Sequence, residues 1–216
     1  MIAGMGILRS SRRCRETLEK LTPLTFEAHV QDLLALARRE HERGPVILFG
    51  HSYGGVVTLG AALTQPSLVE IVLVYEAPLP FVLPREGSHA PLGGDPWLEA
   101  ERFFRRLVSD GAWERLSELE RDSRRRDGPA LLCDLTSLRG GNLQLDLAAL
   151  SVPTTYAYGD ERTPEYYRAL SQALAQLNPL IQSRELHKAG HGAHLSIPDQ
   201  LATLIETLWN ATCASA

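Results

Sequence analysis

Six consecutive residues, Gly50-His51-Ser52-Tyr53-Gly54-Gly55, place a serine where a serine can act as a nucleophile. An apolar, strand-like run from Pro45 to Phe49 drops into them, and a small-residue helix, Val56 to Leu63, follows. A strand that turns straight into a helix strains its turn residue, and Gly50 and Gly54 are expected to give it room. Such a turn thrusts the Ser52 hydroxyl above the sheet edge. It also aims the Tyr53 N–H and the positive end of the helix at the place where an oxyanion would develop. The bare pattern Gly-x-Ser-x-Gly is weak, and the strand and helix around it supply the specificity. The plain alternative is a tight strand-to-helix turn that happens to contain serine. A serine hydroxyl attacks only when a base takes its proton, and that base must be oriented by an acid. Histidines cluster downstream at His187, His191 and His194.

Those imidazoles also raise the question of a metal, since histidines gather in zinc sites. The glycines of Ala189-Gly190-His191-Gly192 preclude a rigid helical pair, and no cysteine or carboxylate ligand stands close by. No metal site is expected.

The elements that must carry these residues can be read along the chain. Residues 1 to 23 are hard to read: Ile2 to Leu8 could be a remnant strand, and the arginine-rich piece after it loop or frayed helix. Thr25 is a helix cap, with Phe26, Val30, Leu33, Leu34 and Ala37 at helical spacing behind it. Gly44-Pro45 ends that helix and opens the strand before Ser52. Gln65-Pro66-Ser67 then breaks the chain, and Val69 to Tyr75 is a continuous apolar run of the kind buried in a parallel sheet. Strand, helix, strand implies a right-handed parallel crossover. Glu76 ends the second strand on the same sheet edge as Ser52, where open α/β sheets place their sites.

Residues 77 to about 150 change character: a proline-rich opening, then helices predicted over Pro96–Ser109, Ala112–Arg121 and Pro129–Leu138. From Pro153 the α/β rhythm resumes. A strand to Tyr158 meets the turn Gly159-Asp160-Glu161-Arg162, and a helix runs from Pro164 to Leu177. The strand Ile181–Leu186 leads to the histidine stretch, and a final helix runs from Pro198 to Trp209. The expectation is an α/β fold, a mostly parallel sheet with flanking helices, in a single domain over residues 1–216. Residues 80–150 are expected to form a helical insertion within it, read from its position as a lid over the site; the plain alternative is a helical excursion with no gating role.

Bulk composition is that of an ordinary globular chain: 216 residues, 44% hydrophobic, 22% charged, with room for a real core. A net charge of −4 gives no reason to invoke nucleic acid or an anionic membrane. Cys14, Cys133 and Cys213 are odd in number and far apart, which argues against a disulfide framework and fits a reducing cytoplasm. No run approaches membrane-spanning length, and the N-terminal order is opposite to that of a signal peptide. A soluble, cytoplasmic protein is the default expectation.

Gly50-His51-Ser52-Tyr53-Gly54-Gly55, taken with the order of elements after it, resembles the nucleophile elbow of the α/β-hydrolase superfamily, and the likeness runs from about Leu24 to Trp209. The resemblance implies a serine hydrolase that cleaves a small carboxylic ester or related acyl bond through an acyl-enzyme and needs no cofactor. Ala189-Gly190-His191 resembles the family's histidine loop, which makes His191 the implied general base, with His194 as runner-up. The family acid falls either in a Gly-x-x-Asp turn after the seventh strand or at the end of the sixth strand. In the first place this chain carries Arg162, with Asp160 nearby; in the second it carries Glu76, which is preferred. Tyr53 supplies the implied oxyanion N–H. His51 is common at its position in the family; His51, Trp97 and Phe104 are the candidate substrate-binding residues, with Phe103 and Trp113 as further candidate walls of the pocket.

The chain departs from the family at its front. Only fifty-one residues precede Ser52, where the family fold has four strands and a His-Gly loop that donates a second oxyanion N–H. Three explanations stand: a clipped reading of a longer gene, a homodimer that covers the exposed sheet edge, or a reduced, non-catalytic relative that serves as a binding module.

Overall fold

The computed structural model describes residues 25–85, 94–139, 141–162 and 164–213. The reading of Ile2 to Leu8 as a strand therefore lies outside the described residues. Helix α1 (Phe26–His41) opens on the Thr25 hydroxyl, which accepts from the Ala28 N–H at 3.2 Å. Its buried stripe is Phe26, Val30, Leu34 and Ala37.

The sheet follows. Strand β1 (Ile47–His51) leads into α2 (Tyr53–Thr64), and β2 (Ile71–Tyr75), β3 (Thr154–Gly159) and β4 (Ile181–Leu186) complete it. Among the described residues the four strands lie in the order β1-β2-β3-β4, every neighbouring pair parallel. Register sets His51 beside Tyr75 and Tyr75 beside Ala157, so the carboxyl ends of the strands share one rim. Inner strand β2 reads as an unbroken apolar run because both its faces are covered. Val72, Leu73, Val74 and Tyr75 are all fully buried. On one face Val74 meets Gly55 of α2. On the other, Leu73, Tyr75, Ala157 and Leu186 pack against Leu201 and Leu204 of α9 (Pro198–Cys213), reached through the short α8 (Ala193–Ser196). Helix α7 (Pro164–Leu177) packs on β3 and β4.

The chain divides into two compact units, and the sheet belongs to the one made of Val30–Ala90 and Leu138–Ala216. The other takes Pro91–Ser137 together with the segment ending at His29. It holds α3 (Pro96–Leu107), α4 (Asp110–Glu114), α5 (Glu118–Arg126) and the start of α6 (Gly128–Arg139). Its core is Trp113, fully buried, with the Phe104 ring 5.4 Å away and the Arg105 and Arg125 guanidinium carbons each 5.5 Å from the indole. Glu101 accepts from both arginines at 2.9 Å. The single helix expected over Ala112–Arg121 is instead two. Ser117 caps the second, and Glu120 reaches back to the Ser117 N–H, a capping box that starts a new helix and breaks the old one. No helix among the described residues is long and apolar enough to cross a membrane.

Candidate active site

Ser52 stands between β1 and α2 with φ 54° and ψ −128°, a conformation an L-residue holds only when its surroundings impose it. Its N–H donates to the Tyr75 carbonyl at 2.9 Å, and its carbonyl accepts from Gly55 at 2.9 Å. The glycines that permit the turn are not quite those expected. A Cβ on Gly50 would collide with the Thr58 hydroxyl and the Gly54 carbonyl, and one on Gly55 would stand 2.7 Å from Ala77 Cβ. A Cβ on Gly54 would meet nothing within 4 Å. The tight positions are thus Gly50 and Gly55, because α2 crosses closest to the sheet there. Tyr53 is the first residue of α2, at the positive end of the helix.

Glu76 follows β2 and also has a positive φ, 46°. It is 1% exposed, and its two oxygens divide their work. Oε1 accepts from the Gly159 N–H at 3.1 Å, and Oε2 lies 2.8 Å from His191 Nδ1. A carboxylate can only accept here, so His191 Nδ1 carries the proton and Nε2 is left as the basic atom. Among the described residues no hydrogen bond joins Ser52 Oγ to that ring. Nucleophile–base bonds of this kind are often loose without substrate.

Asp160 engages a different histidine. Its Oδ2 lies 2.6 Å from His187 Nδ1, and its Oδ1 accepts from the Ala189 N–H at 3.3 Å. Burial works against the Asp160 charge, but the His187 and backbone bonds outweigh it and hold the carboxyl below its ordinary range. Because β3 ends one residue earlier, at Gly159, the Asp160 carboxylate closes the turn beneath His187 rather than reaching His191.

His51 sits among rings: its centroid lies 4.6 Å from those of both His191 and His194, and 5.9 Å from Tyr75. Its Nε2 is 2.8 Å from the His191 carbonyl, which cannot donate, so Nε2 bears the proton. Burial, then the neighbouring imidazoles of His191 and His194, push its pKa well below the usual value. The ring expected to line a substrate site therefore spends its donor on the histidine loop. Trp97 lies half-exposed on α3, and Phe104 packs on Trp113 inside the helical unit. Among the described residues no group of three or more histidine, cysteine or acidic side chains could hold a metal.

Two contributors escaped the sequence reading. The Gly159 N–H steadies Glu76, and a Cβ at Gly159 would strike the Ala189 carbonyl. The Tyr75 hydroxyl donates to the Gly190 carbonyl at 2.9 Å. Its signal was present: a tyrosine ending an aliphatic buried strand must find a partner for its hydroxyl. Burial, and after it the charge of Glu76, raise the Tyr75 pKa, so the hydroxyl remains a donor.

The alpha/beta hydrolase family model matches residues 3–204, and the chain belongs to that family. Among solved structures it is similar to a thermophilic esterase from Thermogutta terrifontis, at 20% identity over 87% of this chain and 73% of that one, TM-score 0.61. It is also similar to the N-formylmaleamic acid deformylase of Pseudomonas putida (18%, 87% and 74%, TM-score 0.59). The peroxisomal alpha-beta-hydrolase of Saccharomyces cerevisiae shares the fold as well (13%, 89% and 62%, TM-score 0.62). A search of curated protein sequences found no match.

Proposed function

We propose that this member of the family is a serine hydrolase that cleaves a small-molecule carboxylic ester or related acyl bond through an acyl-enzyme. The observation that carries the reading is the buried Glu76 paired with His191 beside a strained serine turn. Ser52 Oγ attacks the acyl carbon as its proton passes to His191 Nε2. The charge gathering on the carbonyl oxygen faces the Tyr53 N–H and the start of α2. His191 then gives its proton to the departing alcohol. Water, deprotonated by the same nitrogen, attacks the acyl-enzyme and releases the acid and a restored Ser52. Glu76 holds His191 in the required tautomer and stabilises the imidazolium that forms.

A fluorophosphonate probe tests this directly. The folded protein should be labelled at Ser52, and Ser52→Ala should lose both labelling and nitrophenyl-ester turnover. Labelling that persists in Ser52→Ala, or no labelling of folded protein, overturns the proposal. A non-catalytic binding module is the second reading, favoured by the absence, among the described residues, of a hydrogen bond between Ser52 Oγ and His191. It predicts a folded, unlabelled protein.

A further inference from the structure

The loop that carries His191 is held carbonyl by carbonyl. The Ala189 carbonyl accepts from the Glu161 N–H at 2.9 Å, the Gly190 carbonyl from the Tyr75 hydroxyl at 2.9 Å, and the His191 carbonyl from His51 Nε2 at 2.8 Å. The last two donors are side chains from residues paired across β1 and β2, His51 opposite Tyr75. Each stands one residue before a member of the proposed triad: His51 before Ser52, Tyr75 before Glu76. The Tyr75 carbonyl meanwhile accepts from the Ser52 N–H. A closed set of short ties therefore runs from nucleophile to acid to the backbone of the base.

We propose that His51 and Tyr75 are positioning residues for His191, fixing its backbone so that one imidazole can address Glu76 and the space above Ser52 together. The proposal rests on the reading of His191 as general base. Glu76 alone does not fix the ring, since a single bond at Nδ1 leaves the imidazole free to swing about that contact. Holding the two carbonyls beside it removes that freedom. Misplacement of a catalytic group by about 1 Å costs on the order of 100-fold in rate. His51 in this role is a donor from Nε2 and takes no proton from Ser52.

The test uses the full chain with Tyr75→Phe, His51→Leu and His51→Gln, the last keeping an N–H that can reach a carbonyl. Two readouts are taken: the fluorophosphonate labelling rate and the proton NMR signal of His191 Nδ1–H. Tyr75→Phe and His51→Leu should slow labelling roughly 10- to 100-fold, lower kcat more than they change KM, and broaden the Nδ1 signal. His51→Gln should recover part of both. Tyr75→Phe loses one oxygen and keeps the test decisive should His51→Leu not fold. An Nδ1 signal as sharp as in the wild type in the folded variants overturns the proposal, whatever the labelling rate. Should the wild type itself resist the probe, the hydrolase reading falls. The NMR signal then still decides between a held loop and a loose one.

Discussion

Glu76 sits where there is almost no water, and a buried carboxyl group is tolerable only when its oxygens are occupied. Gly159 and His191 occupy them, which ties this residue's role to one geometry. Glu76→Gln should lower kcat by about 10⁴-fold, because an amide no longer enforces the His191 tautomer. Asp160→Asn, which disturbs His187 and the backbone of Lys188 and Ala189, should leave turnover of the same nitrophenyl ester nearly unchanged. His51 sets a pH dependence of stability. Folded, its pKa lies well below the ordinary 6.5, and on unfolding it returns there. The unfolded chain thus binds the extra proton, so this contribution is complete above that value and is lost as the pH falls through and below it. Urea midpoints measured from about pH 7 down to about pH 5 should fall less steeply in His51→Gln than in the wild type.

At the level of elements, the turn from β1 to α2 shows how a motif and its physical reason can differ. Gly50 and Gly54 were natural suspects as the outer positions of Gly-x-Ser-x-Gly, yet crowding falls on Gly50 and Gly55. Gly55→Ala should cost at least 1–3 kcal/mol by overpacking against Ala77. Gly54→Ala should be neutral or stabilising by up to about 1 kcal/mol, since the position is helical and open. Thermal melts of the two variants compare them directly. The strand and helix spans were largely legible, because apolar runs and 3.6-residue stripes report local geometry. The break at Ser117 has its own local signal in Ser117-x-x-Glu120, which competes with the longer periodic stretch around it. Ser117→Ala should destabilise α5 by about 1 kcal/mol, read by chemical denaturation.

At the scale of the molecule, one rim of the sheet gathers the candidate site: His51 ending β1, Tyr75 ending β2 with Glu76 just after it, and Gly159 ending β3 meet one another and the loop after β4. The helical unit has a separate core built on one indole, and Trp113→Ala should cost about 3–5 kcal/mol, measured by denaturant titration. The sequence by itself determined the elbow serine, the parallel α/β order and the short set of histidines and carboxylates able to act, since residue type and periodicity encode backbone conformation and burial. Only the tertiary structure decided that His191 meets Glu76, 115 residues away, while His187 takes Asp160, and that Tyr75 and His51 clasp the loop between them. Such pairings depend on strand register and on where each loop leaves the sheet. Differences of a single residue there redirect a side chain, and no local pattern records them.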